Sequence, residues 1–259
     1  MKQIVSISLG PSSKDYEFET EFLGQNFNIK RFGADGDMDK AARMLLAWDN
    51  NADALGLANM RFPKTIGPMH SAQKHAEKLK KLSSTIQTPV TMGSALRDVA
   101  FEWSLRFIQF KFGNYFNNAR VLFLSGLDQH KIAQVMSEYT ENLRFADPVL
   151  ENGIPKFLNS IKDLELYAGG IHEVLNWVPS KRLSSSVMPI RVWNEYILRK
   201  AMQKANIIAV PYFDFFGYLE KATLEELGGK TIITSTAYDD RIDFLKERGV
   251  DVVIDTTPK

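Results

Sequence analysis

The chain has 259 residues with 32 basic and 31 acidic side chains, a net charge of +1, and no cysteine. This length allows a well-packed core without metals or disulfides, in one large domain or two smaller ones. The near-neutral charge argues against a nucleic-acid binder, and the lack of cysteine excludes disulfides, thiolate nucleophiles and cysteine-ligated metal sites. No apolar run reaches the roughly 18 residues of a membrane span, and the first residues do not form a signal peptide. We therefore expect a soluble, cytoplasmic protein with no membrane and no nucleic-acid partner.

The N-terminal residues predict a strand, a hairpin and a helix. Residues 4–9 form a short strand, and residues 16–32 alternate between apolar and polar side chains around a glycine, which is typical of an antiparallel hairpin. Asp37 is a natural N-cap for a helix over 38–48. Residues 52–58 predict a parallel strand that is buried on both faces.

A basic amphipathic helix is expected over 71–82, and a short strand over 89–92. A long helix over 95–112 carries a regularly spaced apolar stripe, which we expect to be core. Its members are Leu96, Val99, Trp103, Phe107 and Phe110. The irregular residues 113–118 then predict a boundary between two lobes, 1–117 and 118–259.

Strands and helices alternate plainly in the second half. The strands are expected over 120–124, 143–146, 206–211, 231–236 and 250–255, with helices over 129–139, 155–177, 190–204 and 240–248. Such alternation is typical of parallel sheets. The fold class predicted is α/β, with two Rossmann-like lobes, mostly parallel sheets and the N-terminal antiparallel hairpin.

Four of these strands end in hydrogen-bonding residues, and ligands of open parallel sheets lie outside the carboxyl ends of the strands. We therefore expect these residues to line a ligand site. They are Ser125, Gly126, Asp128, Tyr212, Asp214, Thr234, Ser235, Thr236, Thr256 and Thr257. Ordinary strand-to-helix turns, strand preference and helix capping are the alternative explanation for each of them.

Asp35 is a further candidate, because it lies in the loop Gly33-Ala34-Asp35-Gly36-Asp37 before a helix. Such a loop could bind a cation or polyol hydroxyls, although turn chemistry and capping also explain it. The four histidines lack metal-ligand spacing, so no metal site is predicted. The G-x-G-x-x-G fingerprint, the phosphate-binding loop and the serine-hydrolase elbow are all missing.

Four segments together resemble a known family. They are IVSISLGPSSKD, RFGADGD, GNYFNNARVLFLSG and KTIITSTAYDDRIDFLKERGVDVVIDTTP. They resemble the N-terminal region of bacterial predicted dehydrogenases labelled quinate/shikimate 5-dehydrogenase-like, and some longer members are similar to long-chain acyl reductases in their C-terminal part. The resemblance implies that such chains continue after the TTP segment, where a glycine-rich nucleotide-binding segment would lie. It supplies no catalytic residue, because the lysine–aspartate pair of shikimate dehydrogenases matches no motif here.

The leading functional prediction is the ligand-binding N-terminal region of a dehydrogenase- or reductase-like protein, truncated before its nucleotide-binding segment. An NAD(P) cofactor would then require residues beyond this chain. The alternative is a non-catalytic sensor or regulatory module that binds a small phosphorylated or carboxylated metabolite in the same place. A third interpretation is a structural or homo-oligomerising domain.

Overall fold

The structure is a computed structural model that describes residues 1–58, 79, 81–175, 188–212 and 215–257. The chain divides into two compact units, Met1–Ala95 and Leu96–Lys259. Asp214 and most of the basic helix expected over 71–82 lie outside the described residues.

The first unit contains a five-stranded sheet with one helix described beside it. Its strands are β1 (Lys2–Ser8), β2 (Tyr16–Phe22), β3 (Gln25–Gly33), β4 (Ala54–Ala58) and β5 (Val90–Thr91), and its helix is α1 (Met38–Trp48). The order in the sheet is β2-β3-β1-β4-β5. All neighbours are parallel except the β2–β3 hairpin, which is antiparallel as expected.

Local chemistry explains the hairpin and the helix. Leu23 and Gly24 have φ angles of 52° and 73°, which is the left-handed pair that a tight two-residue hairpin turn requires. The Asp37 carboxylate accepts the backbone N–H groups of Asp39 and Lys40 at the start of α1. Apolar side chains from one face of β1 and β4 pack with Ala41 and Leu45 of α1 to form the core of this unit.

The second unit contains a five-stranded parallel sheet surrounded by helices. Its strands are β6 (Val121–Phe123), β7 (Leu143–Phe145), β8 (Ile207–Ala209), β9 (Thr231–Thr234) and β10 (Val252–Asp255). The described helices are α2 (Ser94–Lys111), α3 (His130–Met136), α4 (Asp147–Asn152), α5 (Ile161–Leu175), α6 (Met188–Lys204), α7 (Phe215–Leu219), α8 (Leu224–Leu227) and α9 (Asp239–Glu247). The α/β class with mostly parallel sheets and an N-terminal hairpin is thus confirmed.

The strand order of the second unit, β10-β9-β8-β6-β7, places the first strand inside the sheet. From β6 the chain runs outward to β7 and then returns to β8 on the other side of β6. This reversal makes a topological switch point between β6 and β8, where ligands of open α/β sheets commonly bind. The parallel strands of the first unit, β3-β1-β4-β5, have the same order when the second sheet is read from β7 to β10. In both sheets the first strand lies between the second and the third parallel strands of the chain.

The division between the units lies earlier than the boundary expected at residue 117. Residues after α2 belong to the second unit because they pack into it. The Tyr115 hydroxyl lies 2.6 Å from Thr231 Oγ1, and the fully buried Phe116 ring contacts Tyr139.

The expectation that the stripe of α2 is core is wrong. Its side chains are exposed, from 41% at Phe107 to 89% at Phe110, and the buried side chains of this helix are Ala100, Phe101 and Leu105 instead. Apolar residues thus lie on two neighbouring faces of α2, and the buried face is the one that carries Ala100, Phe101 and Leu105.

The bounds of α4 and α5 differ from those of the helix expected over 155–177. The short helix α4 begins at Asp147-Pro148, before that region, and α5 runs through Gly169-Gly170 as one continuous helix. In the described part of the chain, no helix combines the length and apolar character needed to cross a lipid bilayer.

Candidate functional site

The carboxyl ends of β6–β10 lie along one edge of the second sheet, because all five strands are parallel. We call the last residue of each strand, together with the loop that follows it, the strand-end edge. The described candidates in this unit, from Ser125 to Thr257, all lie there. They differ in what they contact, and most are already engaged by the protein.

The loop after β6 is closed by a carboxylate from the neighbouring strand. Asp147, separated from the end of β7 by Ala146, is fully buried and accepts the N–H groups of Gly126 at 2.9 Å and Leu127 at 3.0 Å. A Cβ atom at Gly126 would overlap with the Phe145 ring. The backbone amides of Gly126 and Leu127 are therefore already bound to a carboxylate of the protein itself.

Burial determines the ionisation of Asp147. Desolvation disfavours the charged carboxylate and raises its pKa from 3.8 to about 6, although the two backbone N–H groups oppose this shift. The pKa of the neighbouring Tyr167, which contacts Asn152, is also raised by burial.

A second carboxylate ties together the loops after β9 and β10. Asp255 accepts the N–H groups of Thr236, Ala237 and Thr257, each at 2.9 Å. Thr236 and Thr257 also contact each other through their hydroxyl oxygens, which lie 3.1 Å apart. Thr236 has a φ of 54°, an uncommon conformation for a β-branched residue. The polar groups of this turn hold one another and redirect the chain from β9 into α9.

Thr234 and Thr256 are almost completely buried, so they do not line an open pocket. The Thr256 hydroxyl donates to the Thr234 carbonyl at 3.0 Å. Thr234 Oγ1 is buried and has no hydrogen-bond partner among the described residues. Because side chains two apart share a strand face, Thr234 lies on the face where Ile232 packs in a cluster with Phe215 and Leu245. Ser235 is half-buried.

On this face Arg241, from the first turn of α9, reaches over the end of β8. Its Nη2 atom donates to the Tyr212 carbonyl at 3.2 Å. The guanidinium carbon lies 4.8 Å from the ring centres of Tyr212 and Phe215 and 5.9 Å from that of Tyr238. Its Nη1 atom is buried and has no hydrogen-bond partner among the described residues. The Arg241 guanidinium therefore packs against three aromatic rings, while one of its nitrogens has no acceptor among the described residues.

The other side of the switch point is formed by the loop after β6. Ser125 is almost fully buried, and its hydroxyl accepts the Asp128 N–H at 3.4 Å. Gln129 is only 4% exposed, and its Oε1 atom has no hydrogen-bond partner among the described residues. Since β6 and β8 are neighbours, their ends are separated by about 4.8 Å in the sheet. Among the described residues, the β6 side of the switch point thus has an acceptor without a partner, Gln129 Oε1, and the β8 side has a donor without a partner, Arg241 Nη1.

A cavity of about 490 Å³ lies at the far end of this edge, beside β10. Its lining includes Leu96, Val99 and Trp103 of α2, with Asp255 and Thr257 at the strand end. The wall along α2 is apolar and suits an apolar group better than an anion. Of the site residues predicted from the sequence, Thr257 is the one that lines this cavity.

Asp35 belongs to the first unit, where its carboxylate already has protein partners. It accepts the Ser12 N–H at 2.6 Å and pairs with Lys40 at 2.7 Å, and these contacts lower its pKa to about 2. This arrangement stabilises the loop and occupies the oxygens that a cation or polyol would need.

The described residues contain no group of three or more metal-ligating side chains. His130, the histidine nearest the loop after β6, is largely buried and lies 3.2 Å from Glu165. It therefore has a protein partner of its own.

Sequence reasoning missed Asp147, Arg241 and Asp255. Both aspartates could have been found from the sequence, because Asp147 directly follows the predicted strand 143–146 and Asp255 is the last residue of the predicted strand 250–255. Arg241 carried no signal, since its importance depends on Tyr212 and Phe215 far away in the sequence.

Family models match both parts of the chain, and neither model carries an activity. Residues 95–259 match the family described as Domain of unknown function (DUF8754), and residues 3–105 match Domain of unknown function (DUF8753). No curated protein matches the chain in sequence.

Two solved structures of N-acetyl-L-ornithine transcarbamylase mutants, complexed with carbamyl phosphate and N-succinyl-L-norvaline, are similar to the chain at low level. Each shares 13% identity and covers 95% of this chain and 86% of its own, with TM-scores of 0.33 and 0.34. Similarity this weak carries no argument about function.

Proposed function

We infer that this chain, which belongs over residues 95–259 to the family described as Domain of unknown function (DUF8754), binds a small phosphorylated or carboxylated metabolite. The site is the strand-end edge around the switch point between β6 and β8. Arg241 supplies the positive charge that recognises the anion.

The observation that carries this proposal is the Nη1 donor of Arg241, which none of the described protein groups satisfies. A buried polar group without a partner costs about 1–3 kcal/mol, and more when it is charged. An anion bound at Nη1 would remove this cost through a charge-assisted hydrogen bond. The planar guanidinium fits carboxylate and phosphate oxygens in particular.

The surrounding rings and the helix support the same chemistry. Tyr212, Phe215 and Tyr238 restrict the guanidinium, so a ligand meets a donor that is already oriented. The start of α9 adds backbone N–H groups, because Tyr238 at its N-cap makes no side-chain cap hydrogen bond. Asp239 and Asp240 in the same turn are exposed and weaken this attraction in part.

The dehydrogenase- or reductase-like function stays a prediction. The chain has no G-x-G-x-x-G segment, and the matching families have no assigned activity. The experiment that tests anion binding also tests this prediction, because NADPH and acyl-CoA belong in the same panel.

The test is a thermal-shift panel followed by calorimetry on the whole chain. The panel contains inorganic phosphate, pyrophosphate, shikimate, quinate, nucleotides, acyl-CoA and NADPH. A ligand at about 100 times its Kd should stabilise the protein by about 2.7 kcal/mol. All members of this panel are anions, and we expect at least one of them to do so.

Arg241→Gln should weaken binding of that ligand at least tenfold, about 1.4 kcal/mol, while Arg241→Lys should retain part of it. Lys246→Met is the matched control. This substitution also removes one positive charge from α9, but at a side chain that is 70% exposed. Unchanged affinity in Arg241→Gln, in a variant with wild-type circular dichroism, would refute the proposal.

A further inference from the structure

The strand β2 is the outermost strand of the first sheet, and none of the described residues pairs with its outer edge. Only β3 pairs with it among the described residues, and all seven of its residues are exposed. The outward N–H and C=O groups of such a strand can pair with another extended chain. Edge strands of proteins are usually covered, twisted away or charged.

The two faces of β2 have opposite character. Glu17, Glu19 and Glu21 alternate along one face, and Tyr16, Phe18 and Phe22 lie on the other. The aromatic face continues onto β3, where Ile29 is opposite Phe18. Tyr16, Phe18 and Phe22 are 49%, 47% and 65% exposed, so they have apolar area left to bury.

The negative charge of this strand is only partly balanced. Glu17 pairs with Lys30 at 2.9 Å and accepts a hydrogen bond from Asn28. Glu19 and Glu21 are opposite the neutral Asn28 and Asn26 in the register of the hairpin. Neither forms a salt bridge within the described part of the chain. Two carboxylates therefore flank an open edge without a cation.

This charge disfavours a second copy of the chain as the occupant. Two β2 strands paired antiparallel about Glu19 would place Glu19 opposite Glu19, and Glu17 opposite Glu21. A parallel in-register pair would place each glutamate opposite itself. Like charges directly opposite each other destabilise a strand pair, so the edge favours a strand of opposite charge.

We propose that β2 is a docking strand that adds an extended segment of a partner protein in which basic and apolar residues alternate. Backbone hydrogen bonds to the open edge supply affinity, as in other cases of strand addition. Lysine or arginine side chains pair with Glu19 and Glu21, and the apolar side chains cover Phe18 and Phe22. Alternation is essential, because side chains of neighbouring strands meet only on the same face.

The test measures binding of fluorescent peptides to the whole chain by anisotropy at low salt. One acetylated peptide alternates valine and lysine, and a second alternates valine and glutamate. A third has the composition of the first, with its lysines grouped at one end. The valine–lysine peptide should bind at least tenfold more tightly than either of the others, and added salt should reduce the difference.

The double variant E19K/E21K should reverse this preference in favour of the valine–glutamate peptide. The control E141K/E220K changes the net charge equally at exposed glutamates of the second unit and should leave the preference as in the wild type.

The proposal is overturned if no peptide binds, if the grouped-lysine peptide binds as well as the alternating one, or if E19K/E21K keeps the wild-type preference. It is also overturned if sedimentation shows a dimer of the wild type that excludes the peptide, because a second copy then occupies the edge.

Discussion

Asp147 and Asp255 illustrate how single carboxylates organise the ends of parallel strands. Each lies beside the end of an outer strand and accepts the backbone N–H groups of the loop after the neighbouring strand. These loops would otherwise present amides to an external anion. The carboxylates thus close the flanks of the edge, while Arg241 near its middle keeps a donor without a partner in the described part of the chain.

The raised pKa of Asp147 predicts how stability varies with pH. Its folded-state pKa of about 6 lies above the unfolded value of 3.8, so ionisation costs folding free energy. This cost is absent below pH 3.8, where the carboxyl group is protonated in both states, and stability falls as the pH rises from 3.8 through about 6. The cost is on the order of 3 kcal/mol at neutral pH.

Asp147→Asn should remove this dependence, because the amide does not titrate. Urea unfolding of both proteins between pH 4 and pH 7 measures the difference in their slopes. Identical slopes would show that burial does not control this carboxyl group. Asp163→Asn, at an exposed residue of α5, is the control and should leave the slope unchanged.

Thr236 is a strained residue at the start of the segment that carries Arg241. A β-branched residue at φ 54° costs on the order of 1–3 kcal/mol and persists because its surroundings fix it. Asp255 and Thr257 supply those contacts. The strain therefore coincides with the turn that positions α9 over the end of β8.

At the scale of elements, α2 shows why an apolar pattern does not reveal which face of a helix is buried. The helix has an exposed stripe that includes Trp103 and Phe110, and a buried pair, Phe101 and Leu105. Both sets recur at helical spacing, so periodicity alone cannot choose between them.

Two substitutions in α2 separate the faces. Leu105→Ala should cost about 2–5 kcal/mol, because Leu105 is fully buried. Phe110→Ala should change the free energy of unfolding by less than about 0.5 kcal/mol, because Phe110 is 89% exposed. Urea denaturation measures both, and a larger loss at Phe110 than at Leu105 would contradict the observed orientation of the helix.

Much of the secondary structure could be predicted from local chemistry. The hairpin follows from alternation around Gly24, and α1 follows from the Asp37 cap. The strand-end positions of Ser125, Thr234 and Thr257 follow from parallel alternation. The contacts of Asp147 and Arg241 could not be predicted, because they depend on which strands are neighbours and on residues as far apart as Tyr212 and Arg241.

At the scale of the whole molecule, the two units have separate cores. The cluster around Leu45 in the first unit and the cluster around Ile232 in the second share no residue. In each unit the core packs one face of the sheet against helical residues. Loss of packing in one core should therefore act mainly on its own unit.

Leu45→Ala and Ile232→Ala test this independence. Each should cost about 2–5 kcal/mol, and their effects should add within about 0.5 kcal/mol in the double variant. Hydrogen exchange should rise in β1 and β4 for Leu45→Ala, and in β8 and β9 for Ile232→Ala. Faster exchange across both units from one substitution would show that they unfold together.

The repeated strand order gives the molecule two related scaffolds, yet their arginines have different partners. In the first unit Arg31 reaches the Ser8 hydroxyl and pairs with Asp15 at 2.9 Å, so its charge is neutralised internally. Arg241 in the second unit has no carboxylate partner among the described residues. An anion titrated into the protein should therefore saturate at a single equivalent per chain, and Asp15→Asn should be the substitution that opens a second class of sites.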